Sequence, residues 1–250
     1  MAFVADVFDA ILIDVDTGDT IATTTLQSGN LEVSVSENEI RGGKGNALLG
    51  LLHVSRDINV SLTDAEFKFE WMAKQLGQTV ITGAGTAYAM PEWYTVMDNA
   101  GAKEITLKEE PTSIDSVVLF DKNGVKLTKT TDFTLDEKVI TITKTGVNAS
   151  DKVEVRTFTY ATAATTQTIN IDSSVFAKGV KLILETIEIS GDEKPLNKIQ
   201  YQFPSAVPAG NFSIQTSSER SAQAQQFDLK ILKPSDSTIV GQIVRIPIAA

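Results

Sequence analysis

The side chains that most often carry catalysis or bind transition metals are nearly absent from this chain. It contains one histidine, His53, and no cysteine among its 250 residues. A Ser-His-Asp relay would have to use His53, which lies in the apolar run LLGLLHVSR with no nucleophile motif beside it. Zinc and most other transition metals need several histidine or cysteine ligands. We therefore expect a structural histidine, no metal site, no cofactor and no enzymatic activity.

Two short motifs resemble ion-binding or phosphate-binding loops, but each lacks a required part. An EF-hand loop that began at Asp14 would need a glutamate at its twelfth position, which is Thr25 here. In the glycine-rich stretch 42–45, Lys44 is followed by Gly45 and not by the Ser or Thr of a phosphate-binding loop. We interpret the first motif as a β-turn and the second as a mobile loop. A calcium site that another segment of the chain completes is an alternative for the first motif.

The negative charge of the chain is concentrated at its start. The net charge is −10, and residues 1–40 contain eight acidic residues and no Lys or Arg. Such a field repels nucleic acid instead of binding it. A pair of carboxylates among Asp14, Asp16 and Glu32 would also suit glycoside hydrolysis, but any acidic sheet offers such pairs. The pattern favours an acidic surface, and a merely solvated face explains it equally well.

One amphipathic helix is predicted in a sequence that is otherwise typical of strands. Thr63 is suited to be an N-cap and Glu66 follows three residues later, which is the capping-box pattern. Gly77 comes directly after the last apolar residue, where a left-handed glycine commonly ends a helix. We predict a helix over 63–76 that covers the open side of a β-sandwich or barrel.

The rest of the chain alternates between short strand patterns and turns. Apolar and polar residues alternate in 31–36 and 227–231, which indicates half-buried strands. We predict a mainly β fold with two packed antiparallel sheets, as a sandwich or half-barrel, one flanking α-helix and an inserted β-hairpin subdomain. The predicted parts are residues 1–110 for the first part of the β domain, 111–162 for the hairpin insertion and 163–250 for the closing strands.

The start of the chain does not have the composition of a targeting segment. It lacks a basic region before its first apolar residues, and Asp6, Asp9 and Asp14 interrupt them. No later apolar run approaches the length that crosses a membrane. We expect a soluble protein that is made in the cytoplasm and does not bind membranes.

Two long stretches resemble the tail tube proteins of tailed bacteriophages. In those proteins a strand, a long mobile loop, another strand and one helix follow in the order that residues 39–77 suggest, EIRGGKGNALLGLLHVSRDINVSLTDAEFKFEWMAKQLG. The later segments LILETIEI, NKIQYQFPSAVPAGNFSIQTSSERSAQAQQFDLKIL and GQIVRI are similar to the closing strands of such proteins. The charged hairpins between them resemble an insertion.

The resemblance implies a virion structural protein whose mechanism is assembly and not catalysis. Tail tube proteins form hexameric rings, the rings stack into a hollow tube, and DNA leaves the capsid through the lumen without specific binding. The partners would be copies of the same chain and other tail proteins, such as the sheath, the terminator and the baseplate. Assembly would take place in the host cytoplasm, and the product would be part of the virion.

Two groups of residues are candidates for roles in such a tube. The first is the loop that would order against a neighbouring subunit: Arg41, Gly42, Gly43, Lys44, Gly45 and Asn46. The second is an acidic face that would keep DNA from adhering to the lumen: Asp14, Asp16, Asp19 and Glu32.

Two other classes of protein would fit the same pattern of strands and turns. A head or decoration protein of a phage is one of them, and closed shells instead of filaments would identify it. An adhesive or carbohydrate-binding β-sandwich is the other, with Tyr88, Trp93 and Tyr94 as its candidate aromatic cluster. We expect these three side chains to be buried in packing instead.

Overall fold

The structure of the protein is a computed structural model that describes residues 2–214, 216, 218 and 224–248. The first elements are β1 (Ala2–Asp14), β2 (Thr20–Thr23), β3 (Leu26–Gly42), β4 (Ala47–Asp64) and α1 (Phe69–Gln75). The middle strands are β5 (Ile81–Thr82), β6 (Thr86–Tyr88), β7 (Glu92–Thr95), β8 (Met97–Asn99), β9 (Ala102–Thr106), β10 (Val118–Phe120), β11 (Phe133–Asp136), β12 (Val139–Ile142), β13 (Lys152–Thr157), β14 (Thr159–Ala161) and β15 (Gln167–Thr168). The last strands are β16 (Val180–Ser190), β17 (Pro195–Pro208), β18 (Gln225–Ile231) and β19 (Gln242–Pro247).

The chain forms two compact units, which we call unit 1 and unit 2. Unit 1 combines Met1–Val80 with Ile169–Ala250, and unit 2 is Ile81–Thr168. The predicted insertion, 111–162, lies inside unit 2, which begins earlier in the chain. The reason is strand pairing, because β7 pairs with β13 and β9 pairs with β12. Residues before 111 are therefore needed to complete the sheets of this unit.

Unit 1 contains one large antiparallel sheet with a helix on one face. The strand order is β2-β1-β16-β17-β18-β4-β3, with β19 also paired to β17. Alternate residues of these strands, such as Leu62, Leu184 and Phe227, point into a common core. The ring of Trp71 in α1 packs on that of Phe227, with 4.8 Å between their centroids. The predicted class, mainly β with antiparallel sheets and a flanking helix, is confirmed.

The helix is shorter than the sequence predicted. Residues 63–76 were expected to be helical, but β4 continues through Asp64 and α1 begins at Phe69. Long-range pairing decides this boundary, because β4 lies between β3 and β18 over its last residues. The predicted end is correct: Gly77 has φ +69°, and a Cβ there would lie 2.1 Å from the carbonyl oxygen of Phe176.

The side chain of Asp64 anchors the turn between β4 and α1, and α1 has no side-chain hydrogen bond at its N-cap, Lys68. The buried carboxylate of Asp64 accepts hydrogen bonds from the hydroxyls of Thr23 and Thr25, each at 2.6 Å, and from the ammonium of Lys68 at 3.0 Å. Burial alone would raise the pKa of Asp64, but these donors and the N–H of Glu66 outweigh it and lower the pKa to about 2.

Unit 2 has a core of its own, built from short strands. Its larger sheets have the orders β10-β13-β7 and β11-β12-β9-β8, and β14-β6 and β15-β5 are two-stranded. Phe133, Leu119 and Val153 are fully buried between them. The expectation that Tyr88 and Trp93 are buried was wrong, because they are 70% and 54% exposed. Both lie on short strands whose outer faces no other part of the unit covers.

Candidate assembly surfaces

The outer part of the β3–β4 hairpin, residues 33–56, is an apolar surface, which we call the arm. The base of the same hairpin is buried in the core of unit 1 through Leu26, Val60 and Leu62. In the arm, by contrast, eight large apolar side chains are between 43% and 68% exposed: Val33, Val35, Ile40, Leu48, Leu49, Leu51, Leu52 and Val54. Exposed apolar surface on this scale is typical of a protein–protein contact.

The edge of β3 adds unpaired backbone to the same region. Among the described strands, β3 pairs with β4 and with no other strand. Its opposite edge therefore presents N–H and C=O groups along 17 residues. Proteins pair, cover or charge such an edge because it otherwise recruits other chains.

The predicted contact loop lies at the tip of the arm. Arg41 and Gly42 end β3, and the other four residues form a tight turn into β4. Gly43, Gly45 and Asn46 have positive φ angles of 76°, 87° and 52°, and the N–H of Asn46 donates to the carbonyl of Gly43 at 3.2 Å. The loop is thus a hairpin turn, and all of its residues are exposed except the half-buried Gly42. Its contact with a neighbouring subunit stays a prediction.

The four acidic residues predicted to share a face lie in different surroundings. Asp14 is buried, and its carboxylate accepts from the ammonium of Lys74 at 2.5 Å and from the N–H groups of Asp16 and Thr17 at 2.9 Å. The Lys74 hydrogen bond is the main reason why the pKa of Asp14 falls to about 2. This aspartate has a structural role, because it ties the β1–β2 turn to α1.

The other three predicted acidic residues are exposed. The carboxylate of Asp16 forms an ion pair with Lys178 at 3.2 Å, and that of Asp19 accepts from the hydroxyl of Thr17 at 2.7 Å. Glu32 lies opposite Asn59 on the face of the large sheet that points away from the core. The structure thus brings Asp16 and Asp19 together in one turn and places Glu32 on a strand.

That outward face of the large sheet also carries a chain of hydrogen-bonded amides that sequence analysis did not single out. The side-chain amide of Gln242 donates to Gln202 at 2.7 Å, Gln202 donates to Gln200 at 2.8 Å, and Gln200 donates to the carboxylate of Glu185 at 2.7 Å. The alternation of Gln200 and Gln202 with apolar neighbours was the available signal. These contacts make the face polar and well ordered across β16, β17 and β19.

The residues considered for chemistry are not gathered into a reactive site. His53 lies on the arm with its side chain 69% exposed, and its Nδ1 is 3.0 Å from Oε1 of Glu37. Within the described part of the chain, no group of three His, Asp or Glu residues is placed to hold a metal ion. No helix in that part combines the length and the apolar character that crossing a membrane requires.

Long antiparallel strands, a sheet edge that no described strand pairs and an exposed apolar arm are typical of a structural protein that contacts other chains. The family model for the YomU/Tube protein family matches residues 2–246, so the chain belongs to that family. The chain is also similar to the tail tube protein of Bacillus phage SPR, with 26% identity over 230 residues that cover 91% of this chain and 82% of that protein. Both findings confirm the resemblance to phage tail tube proteins.

Proposed function

We propose that this protein assembles with copies of itself into stacked rings that form the tube of a phage tail. The arm carries the proposal, because it exposes eight large apolar side chains on a hairpin whose base is firmly buried. Transfer of a fully exposed leucine to an apolar contact is favourable by roughly 1.5–3 kcal/mol. Contact with a neighbouring subunit would cover these side chains, and the turn at residues 41–46 would take part in it.

Strand edges supply the second contact. Ring closure lets the free edge of β3 in one subunit pair with an edge strand of the next, and a closed ring leaves no edge unpaired. A ring of six subunits is the arrangement that tail tube proteins imply for this chain. Sheath, terminator and baseplate proteins would contact the finished tube.

The lumen is the proposed location of the outward face of the large sheet. In such a tube Glu32 on that face, together with Asp16 and Asp19 in the β1–β2 turn, would repel DNA, which passes without specific binding. Asp14 is left out of this face because it is buried against Lys74. Changing the three exposed residues to Lys should slow DNA ejection from particles, and an unchanged ejection rate would contradict the lumenal placement.

This function is mechanical, and no catalytic step belongs to it. The protein would be made in the host cytoplasm and become part of the virion. A head or decoration protein is the competing structural role, and it would assemble into closed shells instead of filaments.

Electron microscopy of the purified protein tests the proposal directly. We expect rings or hollow filaments from the full chain. The double variant Leu49→Ser with Leu52→Ser removes two arm side chains that are 68% and 57% exposed, so its subunit should still fold. It should weaken the contact by roughly 3 kcal/mol, which raises the concentration needed for assembly about 100-fold.

A matched control comes from unit 2. Met97 and Val125 are 64% and 50% exposed, and Met97→Ser with Val125→Ser removes as many apolar side chains away from the arm. This control should assemble as the natural chain does. Monomers at high concentration, closed shells, or equal loss of assembly in both double variants would overturn the proposal.

A further inference from the structure

Unit 2 contains an open groove that the tube proposal does not use. Its volume is about 470 Å³. Tyr94 and Tyr160 contribute half-buried aromatic rings to its wall. Phe158 is only 3% exposed and packs against Tyr160, with 6.1 Å between the two ring centroids. Tyr88 and Met90 also line the groove, and they are 70% and 79% exposed. Grooves that combine aromatic walls with a few polar groups are common ligand sites.

The charged groups of the groove are two carboxylates and one ammonium. The carboxylate of Glu92 accepts from the hydroxyl of Tyr94 at 3.0 Å and from the ammonium of Lys108 at 2.5 Å. Glu109 adds a second carboxylate at the exposed margin. With two carboxylates and one ammonium, the groove offers an incoming ligand more negative than positive charge.

We propose that this groove binds a neutral oligosaccharide. A sugar ring presents C–H groups on its faces, which pack on aromatic rings, and hydroxyls on its edge, which donate to carboxylates. Tyrosines suit such a ligand because each combines an apolar ring with a polar tip. An anionic polymer is disfavoured by Glu92 and Glu109. A proline-rich peptide also docks on aromatic grooves, but it has few N–H groups to donate to Glu92 and Glu109, whereas every sugar hydroxyl can donate.

This site goes beyond tube assembly, because it lies in unit 2 and involves no arm residue. It would give each subunit a weak contact with a glycan, and an array of subunits would multiply that contact. The ligand would be a neutral glycan at a surface that the assembled particle meets.

Titration of the full chain with defined probes tests the inference. The probes are neutral tetrasaccharides of N-acetylglucosamine, glucose and mannose. Binding is measured by saturation-transfer NMR and by tyrosine and tryptophan fluorescence. We expect at least one to bind with a Kd on the order of 1 mM. Tyr88→Ala removes an exposed ring and should weaken binding about tenfold. Glu109→Gln should weaken it about threefold through loss of a charged acceptor.

Trp93→Ala is the matched control. Trp93 is an exposed residue of β7. It lies between Glu92 and Tyr94, whose side chains point to the other face of the strand, and it does not line the groove. This variant should bind the sugar as the natural chain does. The inference is overturned if no neutral probe binds, if Trp93→Ala loses as much affinity as Tyr88→Ala, or if a glycerol-phosphate oligomer or a proline-rich decapeptide binds more tightly. Filament formation is scored in the same samples. Filaments without sugar binding would contradict this inference alone, and sugar binding without filaments would contradict the tube proposal alone.

Discussion

The two units have cores of similar size, but they differ in how far their strands extend beyond the core. Among the described residues, the core cluster of each unit contains 13 buried apolar residues, although unit 1 is much the longer. Unit 2 uses short strands that turn back onto one another. Unit 1 uses strands of up to 18 residues, and β3 and β4 extend beyond the core that they help to build. The difference agrees with the proposed tube, in which other subunits would complete unit 1 while unit 2 is nearly complete by itself.

The largest expected effects come from replacing one large core residue in each unit by alanine. Phe227 in unit 1 and Phe133 in unit 2 are both fully buried, and replacing either by Ala should lower the unfolding free energy of its own unit by about 4 kcal/mol. Only Phe227→Ala should also impair filament formation, because the assembly surfaces belong to unit 1. Chemical denaturation and electron microscopy of both variants measure this. Loss of filaments in Phe133→Ala would break the comparison.

A smaller effect separates two glycines with nearly the same backbone angle. Gly77 in unit 1 and Gly124 in unit 2 have φ of +69° and +76°, but only Gly77 faces backbone atoms of another segment. Gly77→Ala should cost roughly 3 kcal/mol through strain and displacement of Phe176, and Gly124→Ala about 1 kcal/mol through strain alone. Thermal unfolding of the two variants decides this. Equal costs would mean that the segment around Phe176 moves aside freely.

The last expected effect is a dependence of the stability of unit 1 on acidic pH. The pKa values of Asp14 and Asp64 are lowered from 3.8 to about 2 in the folded protein. Each carboxylate therefore contributes about 2 kcal/mol that is fully present above pH 3.8 and is lost as the pH falls to about 2.

Stability measured by denaturation between pH 5 and pH 2 tests this contribution. Asp64→Asn should flatten the decline, while Asp236→Asn, at an exposed position of the same unit, should leave it unchanged. A natural chain whose stability does not fall over this range would show that these two ion pairs do not contribute as proposed.

The sequence was sufficient for the fold class and for the end of the helix, because both follow from local rules. Alternating apolar residues indicate strands, and Gly77 fits a left-handed helix end. The start of the helix was missed because Thr63 and Glu66 form a capping box only if the chain turns there. In the protein, pairing of β4 with β18 holds Thr63 and Asp64 extended, and pairing between distant segments is invisible in a local pattern.

The candidate surfaces were predicted less completely for a related reason. Alternation in residues 31–36 indicates that one face of a strand becomes covered, but it does not say by which molecule. The same limit applies to Asp14, which was assigned to an acidic face although Lys74, 60 residues away, binds it in the core. The exposed Tyr88 and Trp93 were expected in packing because aromatic residues usually are buried.

The pairing of β5 with β15 has a consequence for how this chain can be re-engineered. Thr82 lies opposite Gln167 and Ile81 opposite Thr168, so the chain enters and leaves unit 2 on adjacent strands. A segment with neighbouring ends can be exchanged for another domain with neighbouring ends without stretching what precedes or follows it. This two-stranded stem is therefore a natural graft point, at which an enzyme or an antigen could be displayed once per subunit.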